Sequence, residues 1–384
     1  MKLIHTSDLH IGKMVNEFSM LKDQEYILKQ IADIAILEKA DALIIAGDIY
    51  DRNIPPSEGV TLFDQFVSGL IKEGIPVLCV SGNHDSPERL SFASSILEKK
   101  NLHIAGVFDG DVKSALLQDE YGEVCIYLLP FVKPPVVKHL LENENIRSYE
   151  DSVREILNRI DLDKDKRNIL VTHYFITNMG VEPEISDSET KILVGGMDNV
   201  DVSLFDDFDY VALGHIHGPQ KIKRDTVRYA GSPLKYSFSE TFHKKSVTIV
   251  ELKEKKEVEI RTKELKPLHD LRKIKGRLED LMAKEVYQEA DPMDYLQVTL
   301  TNEEELIDPI GTLRSVYPNV MQLILEKNLR KKDRVNTKIE QIKNKSTLEI
   351  YKEFYETVTE QEFDTKRETI MTSLIDEIKG GELL

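Results

Sequence analysis

Residues 77–85 read VLCVSGNHD, in which a short apolar run stops at a glycine and three polar residues follow at once. A run of four apolar residues that ends in turn residues is typical of a buried β-strand. The groups after it are an amide, an imidazole and a carboxylate, from Asn83, His84 and Asp85. In an open α/β sheet, the carboxyl ends of the strands lie along the rim where ligands bind. The stretch therefore predicts a layered α/β fold with a functional site at that rim.

Four other apolar runs end in the same kinds of residue. The endings are Asp8-Leu9-His10 after LIHTS, Gly47-Asp48 after ALIIA, Thr172-His173 after NILV, and Gly214-His215-Ile216-His217 after YVAL. Each ending alone has an ordinary explanation, because Gly-Asp commonly forms a turn and Asn commonly caps a helix. Together the five endings hold five of the chain's ten histidines, a coincidence that turns and caps explain poorly.

These residue types predict a metal centre. Carboxylate, amide and imidazole ligands without a thiolate favour a pair of Mn²⁺, Fe²⁺ or Zn²⁺ ions over a structural zinc site. Asp48 has the short side chain needed to bridge two ions. Because two adjacent ions stabilise both the attacking and the leaving oxygen of a phosphoryl group, the predicted reaction is phosphoester hydrolysis.

Composition restricts the class of protein. The 384 residues are 41% hydrophobic and 31% charged, and they contain no apolar run long enough to span a bilayer, which predicts a soluble globular protein. The net charge of -17 is the wrong sign for a protein that covers nucleic acid with its whole surface, so DNA binding would be local. The N-terminus lacks the pattern of a signal peptide, and Cys79 and Cys125 lie in strand-like runs typical of reduced core thiols. We therefore expect a cytoplasmic protein without membrane association.

The pattern along the chain predicts four segments. Residues 1–265 alternate strand-like runs with helix-period segments and predict an α/β domain, and residues 266–328 predict a small α+β domain. The predicted strands of the first domain are KLIHTS, ALIIAGD, PVLCVSG, EVCIYLLP, NILVTH, YVALGH, VRYAG, SVTIVEL and VEIRTKEL, with helices over 23–39 and 59–71. In the second we expect a helix near 271–283, a strand DYLQVTL, a helix near 312–317 and a strand MQLILE.

The last two predicted segments are a basic linker, 329–345, and a helical tail, 346–384. The linker belongs to a stretch rich in Lys and Arg, which is consistent with a local DNA contact or with a solvated surface. The tail carries two apolar stripes at helical spacing, with Asp364 and Thr365 as capping candidates between them. Two amphipathic helices cannot bury their own stripes, so they dock either on this chain or on a partner, and the preceding basic linker slightly favours the partner.

The motifs DLH, GDIYD, GNHD, TH and GHIH, in this order, resemble the five signatures of the calcineurin-like metallophosphoesterases. The resemblance implies an α/β fold, a β-sandwich flanked by helices, with two divalent metal ions, most commonly Mn²⁺. It implies one ion held by Asp8, His10, Asp48 and His217, and a second held by Asp48, Asn83, His173 and His215. His84 matches the family's catalytic histidine, which assists charge development on the phosphate and the leaving oxygen.

Within that superfamily, HTSDLHIGK, AGDIYDRNIPPSEGV and RYAGSPLKYSFSE resemble the SbcD-type nuclease subunits, the bacterial Mre family. The resemblance extends to a capping domain at 266–328 and to TLEIYKEFYETVTEQEF, which is similar to the segment that binds the coiled coil of the ATPase SbcC. It implies a DNA nuclease acting at duplex ends and hairpins, with an SbcC-type partner and a homodimer within a heterotetramer. The helix near 59–72 is a candidate for the dimer interface, although its apolar face is equally compatible with core.

Asp51 departs from some archaeal relatives, which have histidine there. An aspartate at this position resembles the protein phosphatases, in which it orients the catalytic histidine, so we expect Asp51 to hold His84 in one tautomer. The alternative is a turn residue paired with Arg52. Neither alternative distinguishes a nuclease from a phosphatase.

Three functions remain open from the sequence. The first is the DNA nuclease, the second a stand-alone phosphatase or cyclic-nucleotide phosphodiesterase, and the third an adaptor with a vestigial site. The complete ligand set disfavours the adaptor. The residues beyond Leu265 disfavour the small-molecule enzyme, which needs neither a capping domain nor a docking tail, and GNHD differs from the GNHE usual in phosphoprotein phosphatases.

Overall fold

The computed structural model describes residues 1–189, 199–327, 346–359 and 361–381, and the predicted basic linker at 329–345 lies outside them. In chain order the strands are β1 (Lys2–Thr6), β2 (Met14–Val15), β3 (Phe18–Ser19), β4 (Ala42–Ala46), β5 (Val77–Val80), β6 (Leu102–Ala105), β7 (Lys113–Asp119), β8 (Gly122–Leu129), β9 (Arg167–Thr172), β10 (Phe175–Thr177), β11 (Asn199–Asp201), β12 (Tyr210–Leu213), β13 (Gln220–Ile222), β14 (Arg224–Tyr229), β15 (Ser246–Leu252), β16 (Val258–Glu264), β17 (Leu271–Gly276), β18 (Tyr295–Leu300) and β19 (Val320–Leu325). The helices are α1 (Leu21–Leu37), α2 (Ser57–Lys72), α3 (Pro87–Leu90), α4 (Ser94–Leu97), α5 (Pro134–Leu140), α6 (Tyr149–Asn158), α7 (Leu278–Leu281), α8 (Lys284–Tyr287), α9 (Pro309–Arg314), α10 (Thr347–Thr359) and α11 (Thr365–Gly381).

Two six-stranded sheets form the centre of the first domain. Sheet 1 has the strand order β16-β15-β1-β4-β5-β6, and sheet 2 has the order β13-β14-β12-β9-β8-β7. The strands that carry the motifs are parallel neighbours, β1, β4 and β5 in sheet 1 and β9 and β12 in sheet 2. Apolar side chains from both sheets, including Ile44 and Val171, share one buried cluster between the layers. The structure confirms all nine predicted strands and the predicted sandwich.

Helices cover both outer faces of the sandwich. α1 and α2 pack on sheet 1, where Ile31 and Leu70 are fully buried. α5 and α6 pack on sheet 2, where Val137 and Val153 are fully buried. Each such side chain stabilises the fold by about 1.5–3 kcal/mol through burial, because the helical spacing of the apolar residues turns one face of each helix to the sheet. The result is a four-layer α/β/β/α domain.

The small second domain contains a parallel sheet in the order β17-β18-β19. The predicted helix near 271–283 is wrong in its first half, because residues 271–276 form strand β17 and only residues 278–281 form a helix there. The physical reason is an alternation of period two, in which Leu271 is buried, Lys273 and Lys275 are exposed and Ile274 is half-buried. The other predicted elements of this domain are confirmed as β18, α9 and β19.

Buried polar contacts join the two domains. Asp23 of α1 is buried, and its carboxylate accepts hydrogen bonds from the Tyr295 hydroxyl at 2.7 Å and the His269 main-chain N–H at 3.1 Å. The Lys235 ammonium lies 2.8 Å from the Asp270 carboxylate. The side chains of Leu271, Tyr295 and Met321 extend the core around sheet 1. The second domain is therefore packed on the first rather than tethered beside it.

The tail forms the two predicted helices, α10 and α11. Asp364 caps α11, because its Oδ1 accepts the main-chain N–H of Arg367 at 2.9 Å. Phe363 is buried between the helices against the rings of Tyr351 and Tyr355. Other apolar side chains remain exposed, and Phe354 is 63% accessible. Across the described parts of the chain, none of the helices combines the length and the apolar character that crossing a membrane requires.

His5 is fully buried between the two sheets. Its Nδ1 lies 2.8 Å from the Tyr210 hydroxyl, and its Nε2 has no hydrogen-bond partner. Burial, together with the Arg228 guanidinium, lowers the pKa of His5 to about 3. The folded state therefore holds a neutral imidazole over a pH range in which the unfolded chain protonates it.

We expect His5 to make the fold less stable in mild acid. Because the folded pKa is lowered from about 6.5 to about 3, the unfolded chain binds the extra proton, and stability falls as the pH decreases through this window. Between pH 6.5 and 5.5, the free energy of unfolding of the wild type should fall by about 1 kcal/mol more than that of His5→Gln. The matched control is His139→Gln, at an exposed histidine, which should keep the wild-type slope. An equal slope in His5→Gln would contradict the prediction.

Candidate metal centre

The predicted site residues come together at one end of the sandwich. Asp8 and His10 follow β1, Asp48 follows β4, and Asn83 and His84 follow β5, all in sheet 1. His173 follows β9, and His215 and His217 follow β12, in sheet 2. The strand endings predicted the rim of one open sheet, whereas these residues come from two facing sheets.

Glycines allow the backbone segments of the site to approach closely. A Cβ at Gly214 would lie 1.8 Å from the Ala46 main-chain oxygen, and a Cβ at Gly82 would lie 2.1 Å from Oδ1 of Asp48. Both distances are far below van der Waals contact, so a larger residue would displace a ligand-bearing loop. The glycines of GNHD and GHIH thus set the spacing of the site.

One group of donors contains Asp8, His10, Asp48 and His217, all almost fully buried. Nε2 of His10 lies 3.1 Å from Nε2 of His217 and 3.6 Å from Oδ2 of Asp48. Ligand atoms of Asp8, His10 and His217 all lie within 4.8 Å of one another. The structure thus brings together the four residues predicted to hold the first ion.

The second group contains Asp48, Asn83, His173 and His215. Nε2 of His173 lies 3.3 Å from Oδ2 of Asp48 and 3.1 Å from Oδ1 of Asn83. The same Asn83 oxygen lies 3.0 Å from Nδ1 of His215. Asp48 is within reach of both groups, as expected for a bridging ligand.

The arrangement fits cations between these donors. Nδ1 of His173 donates to the Ala46 main-chain oxygen at 2.8 Å, so its unprotonated Nε2 would point a lone pair at the Asp48 carboxylate. Only a proton or a cation removes that repulsion. Burial acts to lower the pKa of His173, but the Asp48 and Asp8 carboxylates raise it to about 9. The surroundings of His173 therefore favour a positive charge. Oxygen and imidazole donors suit a divalent transition-metal ion in that position.

Two other histidines of the site, His10 and His215, are held neutral. Burial lowers the pKa of His10 well below its ordinary value, and burial together with His173 lowers that of His215 to about 3. Although burial acts to raise it, the neighbouring His173 side chain holds the pKa of Asp48 well below its usual range. Neutral imidazoles beside an ionised carboxylate are the protonation states in which these groups ligate metals.

His84 lies at the edge of the groups and is partly exposed. Its ring makes an edge contact with the ring of His10, with 4.8 Å between centroids. Its Nδ1 lies 3.0 Å from the main-chain oxygen of Asp51. Because that carbonyl can only accept, Nδ1 carries the proton and Nε2 is left for other partners.

The Asp51 carboxylate does not make the contact predicted for it. It pairs with the Lys13 ammonium at 2.7 Å and lies 3.6 Å from Nδ1 of His10 and from Nε of Arg52. The contact to His84 comes from the main chain of Asp51 instead. Sequence proximity indicated the right residue but could not distinguish its carboxylate from its carbonyl.

Two residues that support the site were not predicted. Asp85 is buried and accepts the main-chain N–H groups of Ile49, Tyr50 and Gly82, which joins the loops that carry Asp48 and His84. Gln24 of α1 donates to the His10 main-chain oxygen at 2.7 Å and accepts from Gly12. Asp85 could have been identified from the sequence, because it is the last residue of the GNHD motif. Nothing in the local sequence distinguishes Gln24.

Comparisons with known proteins identify the family. The profile of the calcineurin-like phosphoesterases matches residues 1–219, and that of the type 5 capsule protein repressor C-terminal domain matches residues 267–359. A solved dimetal phosphatase from Danio rerio aligns with 69% of this chain and 96% of its own, at 11% identity and a TM-score of 0.42.

Two curated relatives, both named as the SbcD subunit of nuclease SbcCD, align along nearly the whole chain. The relative from Staphylococcus epidermidis is 32% identical over 364 residues, which cover 94% of each chain. The relative from Staphylococcus saprophyticus is 33% identical over 388 residues, covering 98% of this chain and 99% of its own. By the profile match and these two alignments, the chain belongs to the calcineurin-like phosphoesterase family and, within it, to the SbcD subunits of nuclease SbcCD.

Proposed function

We propose that this chain is the metal-dependent nuclease subunit of an SbcCD-type complex. It hydrolyses DNA phosphodiester bonds at double-stranded ends and hairpins, as an exonuclease and an endonuclease, in DNA repair, recombination and replication. The observation that carries the proposal is the convergence of seven donor side chains in a chain that aligns along nearly its whole length with relatives of that name. Two unpaired cysteines, Cys79 and Cys125, suit the reducing cytoplasm as its location.

Two divalent ions, for which we propose Mn²⁺, complete the site. One would be held by Asp8, His10, Asp48 and His217, and the other by Asp48, Asn83, His173 and His215. When bound, the ions supply Lewis-acid charge for the phosphoryl oxygens and the attacking water. Nδ1 of His84 donates a hydrogen bond to the Asp51 main-chain carbonyl. Nε2 is therefore the atom that would exchange a proton with the phosphate and the leaving oxygen.

The experiment that tests this function compares two substrates with Mn²⁺. The full chain is assayed on a hairpin-capped duplex and on bis-p-nitrophenyl phosphate, alone and with an SbcC-type ATPase. Cleavage of the DNA that requires His84 supports the nuclease. Turnover of the small ester with intact DNA, even with the ATPase present, would instead identify the phosphodiesterase alternative.

The tail is the proposed docking segment for the ATPase coiled coil. Phe354 and Val358 on α10 and Ile370 and Leu374 on α11 are all exposed. Phe363 packs on the Tyr351 and Tyr355 rings of α10, and the Arg367 guanidinium of α11 lies over the Tyr355 ring, so the two helices are in contact. An apolar surface on paired helices suits another amphipathic helix.

Substituting Phe354 should therefore weaken partner binding without affecting the active site. Phe354→Ala should reduce affinity for the SbcC-type coiled coil by roughly 30-fold, as for an exposed aromatic anchor. The measurement is isothermal titration calorimetry, with the exposed Lys352→Ala as the matched control. Mn²⁺-dependent cleavage by the chain without its partner should stay at the wild-type level, and an unchanged affinity would contradict the docking role.

We also propose that two copies of the chain pair through α2. An apolar groove of about 1160 Å³ runs between α2 and the α3–α4 region, lined by Val60, Phe63, Val67, Phe92 and Leu97 among others. Phe92 is 80% accessible at its rim. A second copy would cover this face, and a chain that sediments as a monomer at micromolar concentration would contradict the pairing.

A further inference from the structure

The motif RYAGSPLKYSFSE ends in Glu240, a carboxylate with no solvent exposure. Glu240 lies behind His217, on the side of the imidazole that faces away from the other donors. We infer that Glu240, acting with Ser188 and Lys245, positions His217 for the ion it holds with Asp8, His10 and Asp48. The inference rests on the proposed function, in which His217 holds an ion. A metal titration of matched variants distinguishes a failure of the inference from a failure of that ligand role.

The ring of His217 is oriented by a chain of hydrogen bonds. Its Nδ1 lies 2.7 Å from Oγ of Ser188, and that hydroxyl donates to Oε1 of Glu240 at 2.5 Å. Because the single hydroxyl proton of Ser188 goes to the carboxylate, Nδ1 of His217 must be the donor to Ser188. The tautomer is thereby fixed, and Nε2 presents its lone pair towards His10, 3.1 Å away.

The backbone of His217 is held by the same network. The buried Lys245 ammonium donates to the His217 main-chain oxygen at 2.9 Å, to Oγ of Ser232 at 2.8 Å and to Oε2 of Glu240. Glu189 accepts the His217 main-chain N–H at 2.5 Å. The Glu240 carboxylate and the Lys245 ammonium form a buried ion pair. The carboxylate is therefore ionised and able to polarise the Ser188–His217 chain.

The second group of donors has a different kind of support. His173 donates its Nδ1 proton to a main-chain carbonyl, that of Ala46, rather than to a side chain. A substitution in the Glu240 network therefore alters the support of one ion and leaves the other untouched. If the buried Glu240–Lys245 ion pair only stabilised the fold, substituting it would not weaken one ion selectively.

The test is a titration of the metal-free full chain with Mn²⁺ by isothermal titration calorimetry, with thermal unfolding measured in parallel. Glu240→Gln and Ser188→Ala should each weaken one of the two ions by about 10 to 100-fold and leave the other unchanged. Ser188 lies in a surface loop, so Ser188→Ala is informative even where Glu240→Gln fails to fold. Ser239→Ala is the matched control, because it removes the anchor that Ser239 provides for the same loop at Asp187 and does not touch His217.

The outcomes are distinct. Selective weakening of one ion by both variants, with the control unchanged, supports the positioning role. If Ser188→Ala leaves both affinities at wild-type values, or if Ser239→Ala reproduces its effect, the inference is overturned. His217→Asn supplies the remaining arm, because unchanged binding of both ions in that variant would show that the ligand assignment itself is wrong.

Discussion

The Asp48→Asn variant is expected to lose wild-type affinity for both ions and to cleave DNA roughly 10³-fold more slowly or worse. Oδ2 of Asp48 lies 3.3 Å from Nε2 of His173 and 3.6 Å from Nε2 of His10, so one side chain serves both groups of donors. Asparagine has nearly the same shape and can still accept the main-chain N–H of His84, as Oδ1 of Asp48 does at 2.9 Å. The change therefore removes the bridging charge while retaining the loop.

The measurement combines Mn²⁺ calorimetry with cleavage of a hairpin-capped duplex. The matched control is Asp33→Asn, at an exposed position of α1, which should bind two ions and cleave at the wild-type rate. Loss of a single ion, with the other at native affinity, would show that Asp48 belongs to one site and does not bridge.

His84→Gln has the second largest expected effect, a loss of cleavage of about 10²-fold or more with both ions retained. His84 is partly exposed at the edge of the site, and its Nε2 is free because Nδ1 is bonded to the Asp51 carbonyl. Glutamine can keep a hydrogen bond to that carbonyl but cannot exchange a proton near neutral pH. The cleavage rate should therefore fall while both ions remain bound.

The same pair of measurements distinguishes this role from metal ligation. A ring nitrogen of His84 lies within 4.8 Å of donor atoms of His10 and Asp48, so metal ligation by His84 has to be tested separately from proton transfer. If His84→Gln releases an ion, His84 is a ligand rather than a proton donor. His139→Gln, an exposed histidine on α5, should change neither cleavage nor affinity.

The sequence was most informative where function requires specific atoms at strand ends. All seven predicted metal donors and His84 follow buried strands, because a polar side chain after an apolar run is visible without knowing strand order. The local sequence does not show how the strands divide between the two sheets, because strand pairing joins distant residues. β1 and β15, for example, are paired although more than two hundred residues separate them. β7 was also missed, because its sequence KSALLQD does not alternate apolar with polar residues, although burial alternates along the strand.

Support for the site was harder to predict than the site itself. No periodic pattern in the local sequence marks Ser188, Glu240 and Lys245, which reach His217 from outside the strands. Asp51 shows a related limit, since the contacting atom belongs to the backbone. Such contacts depend on the folded path of the chain, whereas the ligands follow from residue type and strand position.

Because Asp8, His10, Asp48 and Asn83 come from sheet 1 and the three remaining donors from sheet 2, each proposed ion would join the two layers of the sandwich. The separation of the layers is set in the core between them, by small side chains such as Ala42, Ala46 and Ala212. The core therefore acts as a spacer for the catalytic centre. A methyl group added between the sheets would shift one half of the ligand set against the other, so activity can be lost through mutations that touch no ligand.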